Sequence, residues 1–181
     1  MKLIPEWHEH QYCLIAWPCN KDLYGKNINK ARDEVANVIN EIPKTEHVIV
    51  FSNKEDINEI QNKTDHKNID IIECKLDDSW MRDIAPIFYN EDKKLKSISF
   101  EFNGYGKYSD YLNDNKISKF ISNYLNIPTK ISDLVIEGGA ITYDDKKNLF
   151  STKNVIFNKN RKQKHNSEYI IEELKLLFDL N

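Results

Sequence analysis

The chain has 181 residues, enough for one sizeable core or a large part of a bigger domain. Hydrophobic residues make up 40% and charged residues 30%, the balance of an ordinary soluble globular protein. With 26 Lys and Arg against 29 Asp and Glu, the net charge of −3 leaves no electrostatic footprint for nucleic acid.

No run approaches the roughly 18 apolar residues of a membrane helix, and Met1 to Trp7 lacks the apolar core of a signal peptide. Cys13, Cys19 and Cys74 form no C-x-x-C pair, so reduced thiols in a cytoplasm are expected. The histidines are scattered without metal spacing, and neither a metal nor a cofactor is expected.

Tyr12 to Trp17, closed by Pro18, reads as a buried first strand. Ile28, Ala31, Val35, Val38, Ile39 and Ile42 recur at helical spacing, with Pro43 as the stop. His47 to Phe51 is a continuous apolar strand, of the kind covered on both faces. Ser52 or Asn53 offers a cap for a helix over Lys54 to Gln61, and Ile69 to Cys74 is the next strand. This alternation predicts an α/β layer with parallel pairing.

Pro86 to Asn90 and Lys96 to Phe102 read as an antiparallel pair around a polar hairpin, Glu91 to Lys94. Ile117, Phe120, Ile121, Tyr124 and Leu125 form a helical stripe. Strands follow at Leu134 to Ile136, Ala140 to Tyr143 and Leu149 to Thr152, and Ser167 offers a cap for a last helix. Glu137-Gly138-Gly139 places a carboxylate at a strand end before two residues that permit close backbone approach.

The densest chemistry lies between the Ile69 strand and Pro86. Asp77, Asp78 and Asp83 share seven residues with Trp80 and Arg82, and a turn between two strands is the expected setting. One reading is a solvated salt-bridge knot around Arg82. The other is a site for a planar organic cation, for which Trp80 beside carboxylates is suited.

Asp77-Asp78-Ser79-Trp80-Met81-Arg82-Asp83-Ile84-Ala85-Pro86 resembles the D-x-W-x-R-D-x-[GA]-P signature of agmatine deiminases and the related Porphyromonas-type peptidylarginine deiminases. Three further stretches resemble that family in the same order. They are Pro5 to His8 with Ala16-Trp17-Pro18, then Glu137-Gly138-Gly139, then Phe157 to Arg161. The loop Phe102 to Tyr108 is similar to F-N-x-W-G-x-K-[YF], but Tyr105 replaces the Trp and one residue is missing before Lys107.

The resemblance implies an α/β propeller, or pentein, of ββαβ modules. This chain would be a single partial domain over residues 1–181, about the first half of that fold. Hydrolysing a guanidinium requires carboxylates that grip its N–H fork, a thiolate nucleophile and an acid-base group for the departing ammonia. The resemblance implies that Asp83 grips the guanidinium, that Trp80 lines the pocket and that Glu137 orients a catalytic histidine. Asp77 and Asp78 could assist the grip, and Arg82 would brace the carboxylates.

The family's His-x-Asp motif and Gly-rich Cys segment are absent from these residues. Cys74 is a poor substitute, because nearby carboxylates suppress a thiolate. The expectation is therefore a fragment, inactive alone, of an enzyme converting agmatine and water to N-carbamoylputrescine and ammonia. A separately encoded C-terminal half and self-association through cut sheet edges are the expected partnerships. The alternatives are a non-catalytic binding module for a guanidino or polyamine cation, and a peptidylarginine deiminase fragment. Asp83 and Glu137 are expected to approach the same cleft.

Overall fold

A computed structural model describes residues 1–42, 46–64 and 66–180, which gather into two compact units. One unit spans residues 9–81, and the other joins residues 1–8 to residues 82 onward. The strands are, in chain order, β1 (Lys2–Leu3), β2 (Tyr12–Ala16), β3 (His47–Ser52), β4 (Ile69–Glu73), β5 (Ile87–Glu91), β6 (Lys94–Glu101), β7 (Thr129–Val135), β8 (Thr142–Tyr143) and β9 (Leu149–Phe150).

In the 9–81 unit, β2, β3 and β4 form a parallel sheet with β3 in the centre. Tyr12 pairs with His47 and Ala16 with Phe51, while Val48 pairs with Ile69 and Ser52 with Glu73. Parallel neighbours need crossovers, and the helices Ile28–Glu41 and Ile57–Lys63 supply them. The continuous apolar character of β3 follows from its place, since Val48 to Ser52 are all buried. Trp17, Ala36, Ile39, Val48, Val50 and Ile60 make this unit's core. The first crossover helix ends with Ile42 in extended backbone, and Pro43, the expected stop, lies outside the described residues.

Arg32 is buried on that helix among acceptors. Its Nε donates to Pro18 O at 2.9 Å, and its guanidinium reaches Asp56 at 2.8 Å and Glu59 at 2.5 Å. Asn53 does not cap the next helix with its side chain, as the sequence suggested. Its amide clamps Leu76 instead, accepting from Leu76 N at 3.0 Å and donating to Leu76 O at 3.2 Å. The irregular segment after β4 is thus tied to the end of β3.

In the second unit, β1, β5, β6 and β7 form an open sheet in that order. The β5–β6 hairpin turns through Asp92 and Lys93 at φ 52° and 59°, the left-handed turn that matches strand twist. The helix Asp114–Tyr124 then carries the chain to β7, parallel to β6. Strands β5 and β6, this helix and β7 are one complete ββαβ module.

Strand β7 starts at Thr129, five residues earlier than its apolar run suggests, because Thr129 pairs with Ser97 and their hydroxyls lie 2.9 Å apart. The last helix, Ser167–Phe178, is capped by Asn166, not Ser167, through a 2.9 Å bond from Tyr169 N. It buries Ile170, Leu174, Leu177 and Phe178 in one core with Leu3, Tyr89, Ile98 and Leu134. Among the described residues, no helix is long and apolar enough to cross a membrane.

Candidate functional site: two carboxylates beside a Gly-Gly turn

The Asp/Trp/Arg motif straddles the boundary between the units, which falls after Met81. Asp77, Asp78 and Trp80 belong to the 9–81 unit, and Arg82 and Asp83 to the other. The expected inter-strand turn is an irregular stretch followed by one helical turn, Met81–Ile84. The strands on either side, β4 and β5, belong to different sheets.

Asp78 spends both carboxylate oxygens locally. Oδ1 accepts from Ser79 N at 2.8 Å, and Oδ2 accepts from the Trp80 indole N–H at 2.9 Å. The ring so held is 50% exposed, an aromatic face presented to solvent. Asp78 therefore acts on Trp80, fixing its orientation. Arg82 does not brace the aspartates of its motif. It pairs with Glu6, and both side chains are more than half exposed.

Asp83 sits at the end of that helical turn. Its Oδ2 accepts from the Tyr105 hydroxyl at 2.6 Å and its Oδ1 from Gly139 N at 3.1 Å. The second bond explains a glycine. A Cβ on Gly139 would lie 2.2 Å from Asp83 Oδ1, and one on Gly138 would lie 2.4 Å from the Arg82 carbonyl oxygen. The strand expected from Ala140 begins instead at Thr142, because Gly138–Ala140 forms a 3-10 turn that delivers this N–H.

Glu137, just before that turn, is 2% exposed. Its Oε2 lies 3.2 Å from a terminal nitrogen of Arg161, while its Oε1 and the Arg161 Nε are buried without a hydrogen-bond partner. Burial pushes the Glu137 carboxyl above its ordinary value, Arg161 pulls it back, and the charge of Asp83 adds to the rise. Asp83 and Glu137 thus feel one another across the Gly-Gly turn.

Arg161 and Tyr105 complete the corner. The guanidinium carbon of Arg161 stands 5.5 Å from the centre of the Tyr105 ring, a cation–π distance. Tyr105 has φ 61°, a left-handed conformation that costs a non-glycine residue about 1–2 kcal/mol. Asn103 holds the loop in place, accepting from Gly106 N at 2.9 Å and donating to Arg161 O at 2.7 Å. A Cβ on Gly106 would meet Asn160 O at 1.9 Å, so only glycine allows this approach.

Sequence reasoning gave no role to Tyr105 or Arg161. The available signals were the Gly-punctuated aromatic loop and the Phe157 to Arg161 stretch. No pattern within either reveals that they meet.

The structure therefore brings Asp83 and Glu137 together, and Asp78 and Trp80 together, in separate units. Among the described residues, no group of three or more His, Cys, Asp or Glu side chains is arranged to hold a metal. Such a corner can grip a planar cation with Asp83 and supply a second, protonatable carboxyl from Glu137.

Comparison with known proteins finds relatives over nearly the whole chain. A Mycoplasma capricolum subsp. capricolum protein, provisionally named agmatine deiminase, is 33% identical over 176 residues, covering 94% of this chain and 48% of its own length. The agmatine deiminase of Medicago truncatula is 28% identical, with 94% and 49% covered. The chain spans about half the length of the curated relatives it matches.

Among solved structures, C. jejuni agmatine deiminase with substrate bound superposes with TM-score 0.83 at 27% identity, over 99% of this chain and 54% of that one. The Enterococcus faecalis agmatine deiminase reaches TM-score 0.92 over 99% of this chain and 51% of that one, at 18% identity, a likeness of fold alone. The fold is thus that of about half a pentein. The pattern of the Porphyromonas-type peptidyl-arginine deiminases matches residues 2–181, and the chain belongs to that family.

Proposed function

We propose that residues 1–181 carry the guanidinium-gripping part of an agmatine deiminase, the enzyme that hydrolyses agmatine to N-carbamoylputrescine and ammonia. One observation carries the reading. Asp83 is preorganised by Tyr105 and Gly139 N, with lone pairs still free on a carboxylate that can accept about four bonds. In this reading Asp83 receives the N–H fork; within the 9–81 unit, Asp78 orients Trp80, whose exposed ring is suited to a planar cation.

Glu137 holds charge for the proton-transferring group. Its Oε1 has no partner in the described chain, which fits an imidazole N–H supplied by the rest of the protein. The thiolate would likewise come from outside these residues. Burial and Glu46 push the Cys13 thiol up, Cys19 Sγ donates to Leu76 O at 3.6 Å, and Cys74 is buried. The remaining length of the protein, or a separately encoded half, supplies both groups in a cytoplasmic enzyme.

The test is calorimetric titration of the chain with agmatine, with putrescine (which lacks the guanidinium) and with an acyl-arginine amide. Binding of agmatine but not putrescine is expected, with the acyl-arginine amide weaker. Preference for the acyl-arginine amide would move the substrate to peptidyl-arginine. Equal binding of putrescine would remove the guanidinium reading. Ammonia release by the chain alone would place the nucleophile among Cys13, Cys19 and Cys74.

A further inference from the structure

A helical turn, Lys21–Tyr24, lies in the 9–81 unit and buries none of its own side chains. It is nevertheless closely specified. Asn20 Oδ1 accepts from Leu23 N at 2.9 Å, and Asn20 O accepts from Tyr24 N at 3.0 Å. Gly25 ends the turn at φ 51°, in the left-handed region that glycine enters at little cost. Core burial does not account for this care. What the turn delivers is the Tyr24 hydroxyl, 2.8 Å from Ser79 Oγ and 55 positions away in the chain.

Ser79 sits between Asp78 and Trp80. The stretch after β4 is anchored at Leu76, which Asn53 clamps and whose carbonyl oxygen accepts from Cys19 Sγ. At its tip, Asp78 Oδ1 takes the Ser79 N–H at 2.8 Å and lies 3.4 Å from the Ser79 hydroxyl, while Oδ2 takes the Trp80 indole N–H. Tyr24 brings a bond to this tip from outside it. One series of polar contacts therefore runs from Tyr24 through Ser79 and Asp78 to Trp80, all within one unit. Its first two members are half-buried, and the ring at its end is the exposed one. A ring that swivels gives up that freedom when it stacks on a cation, whereas a ring held in advance does not.

We propose that Tyr24 is a positioning residue for Trp80, acting through Ser79 and Asp78, and so for the planar cation that the ring receives. The identity of the cation rests on the deiminase reading, but the positioning does not. Tyrosine suits the task, because a rigid ring with few torsions carries its hydroxyl to Ser79 with little entropy to lose. Phenylalanine would keep the ring and lose the bond.

The experiment follows the indole N–H signals of the three tryptophans by NMR in the 15N-labelled chain, with Trp80→Phe identifying that of Trp80. Tyr24→Phe should speed exchange of the Trp80 indole proton with water about threefold to tenfold, the value of one hydrogen bond. The signal of Trp17, which is fully buried in the same unit, should not change. Ser79→Ala should act in the same direction as Tyr24→Phe, and the double variant should exceed neither single one, because both break one series. Unchanged Trp80 exchange in Tyr24→Phe, equal acceleration at Trp17, or additive effects in the double variant would each overturn the positioning. Agmatine titration is read separately. Affinity should fall about twofold to fivefold in Tyr24→Phe, as for part of a preorganised contact, and should not fall further when Tyr24→Phe is added to Trp80→Phe. An equal loss in both backgrounds would overturn the route through Trp80. No agmatine binding by wild type, with faster Trp80 exchange in Tyr24→Phe, supports the positioning and removes the deiminase reading.

Discussion

Arg32, which is buried, and Arg161, which is partly buried, both face carboxylates, one in each unit, and their surroundings differ. Arg32 uses Nε on Pro18 O and its terminal nitrogens on Asp56 and Glu59, at 2.5 to 2.9 Å. Arg161 makes one 3.2 Å ion pair with Glu137, leaves its Nε unpartnered and leaves Glu137 Oε1 unpartnered too. A satisfied buried pair is a structural device, and removing one member strands the rest. An unsatisfied one holds interaction capacity in reserve for a group that arrives later. Burial raises the carboxyls of both Asp56 and Glu137, but only Asp56 has an arginine hydrogen-bonded to it in compensation.

Breaking the satisfied pair should have the largest effect on stability. Arg32→Ala leaves the Asp56 carboxylate and Pro18 O buried without partners, and about 3–5 kcal/mol should be lost in urea unfolding. An effect below about 1 kcal/mol would mean that the pair is no better built than its counterpart. Glu137→Gln, which keeps shape and removes charge, should alter the same midpoint far less.

The next test uses pH. The folded-state pKa of Glu137 is raised above its ordinary 4.5, so between that value and the folded pKa the folded chain binds more protons than the unfolded one. Stability from this group is therefore greatest at low pH and falls as pH rises through the folded pKa. Wild type should lose stability relative to Glu137→Gln as pH rises from 4.5 toward neutrality. Taking the difference between the two proteins cancels Asp56, whose shift has the same sign. Parallel curves would show that Arg161 fully compensates the burial.

Smaller effects concern how Asp83 is held. Gly139→Ala drives a Cβ into Asp83 Oδ1, so agmatine affinity should fall about tenfold or more while the fold survives by rotating the aspartate. Tyr105→Phe removes the 2.6 Å hydroxyl bond but keeps the ring beneath Arg161, and a roughly threefold to tenfold loss is expected. Both are read by calorimetry with agmatine. A larger loss in Tyr105→Phe than in Gly139→Ala would reverse their assigned ranks.

What the sequence disclosed follows the same division. The parallel 9–81 sheet was legible because β3 carries an unbroken apolar run and its crossover helix a clear stripe. The β5–β6 hairpin was legible from four polar residues between two strands. The two-residue β1 and the Thr129 start of β7 are set by pairing with distant strands, which leaves no local signature. Asp83 and Glu137 stood out through their motifs, whereas Tyr105 and Arg161 gain meaning only from a tertiary meeting that Asn103 and Gly106 permit. Asn53 and Arg82 were misread for one reason: a side chain able to serve its own neighbourhood was drawn to a partner distant in the sequence.

The central claim is that Asp83 grips a guanidinium, and the most direct measurement is agmatine affinity in Asp83→Asn beside wild type. The substitution keeps size and shape but turns a charged acceptor into a neutral amide with N–H groups facing the cation. Affinity should fall at least about tenfold, because a hydrogen bond to a charged group contributes about 1.5–3 kcal/mol. Unchanged agmatine affinity in a folded Asp83→Asn chain would contradict the account.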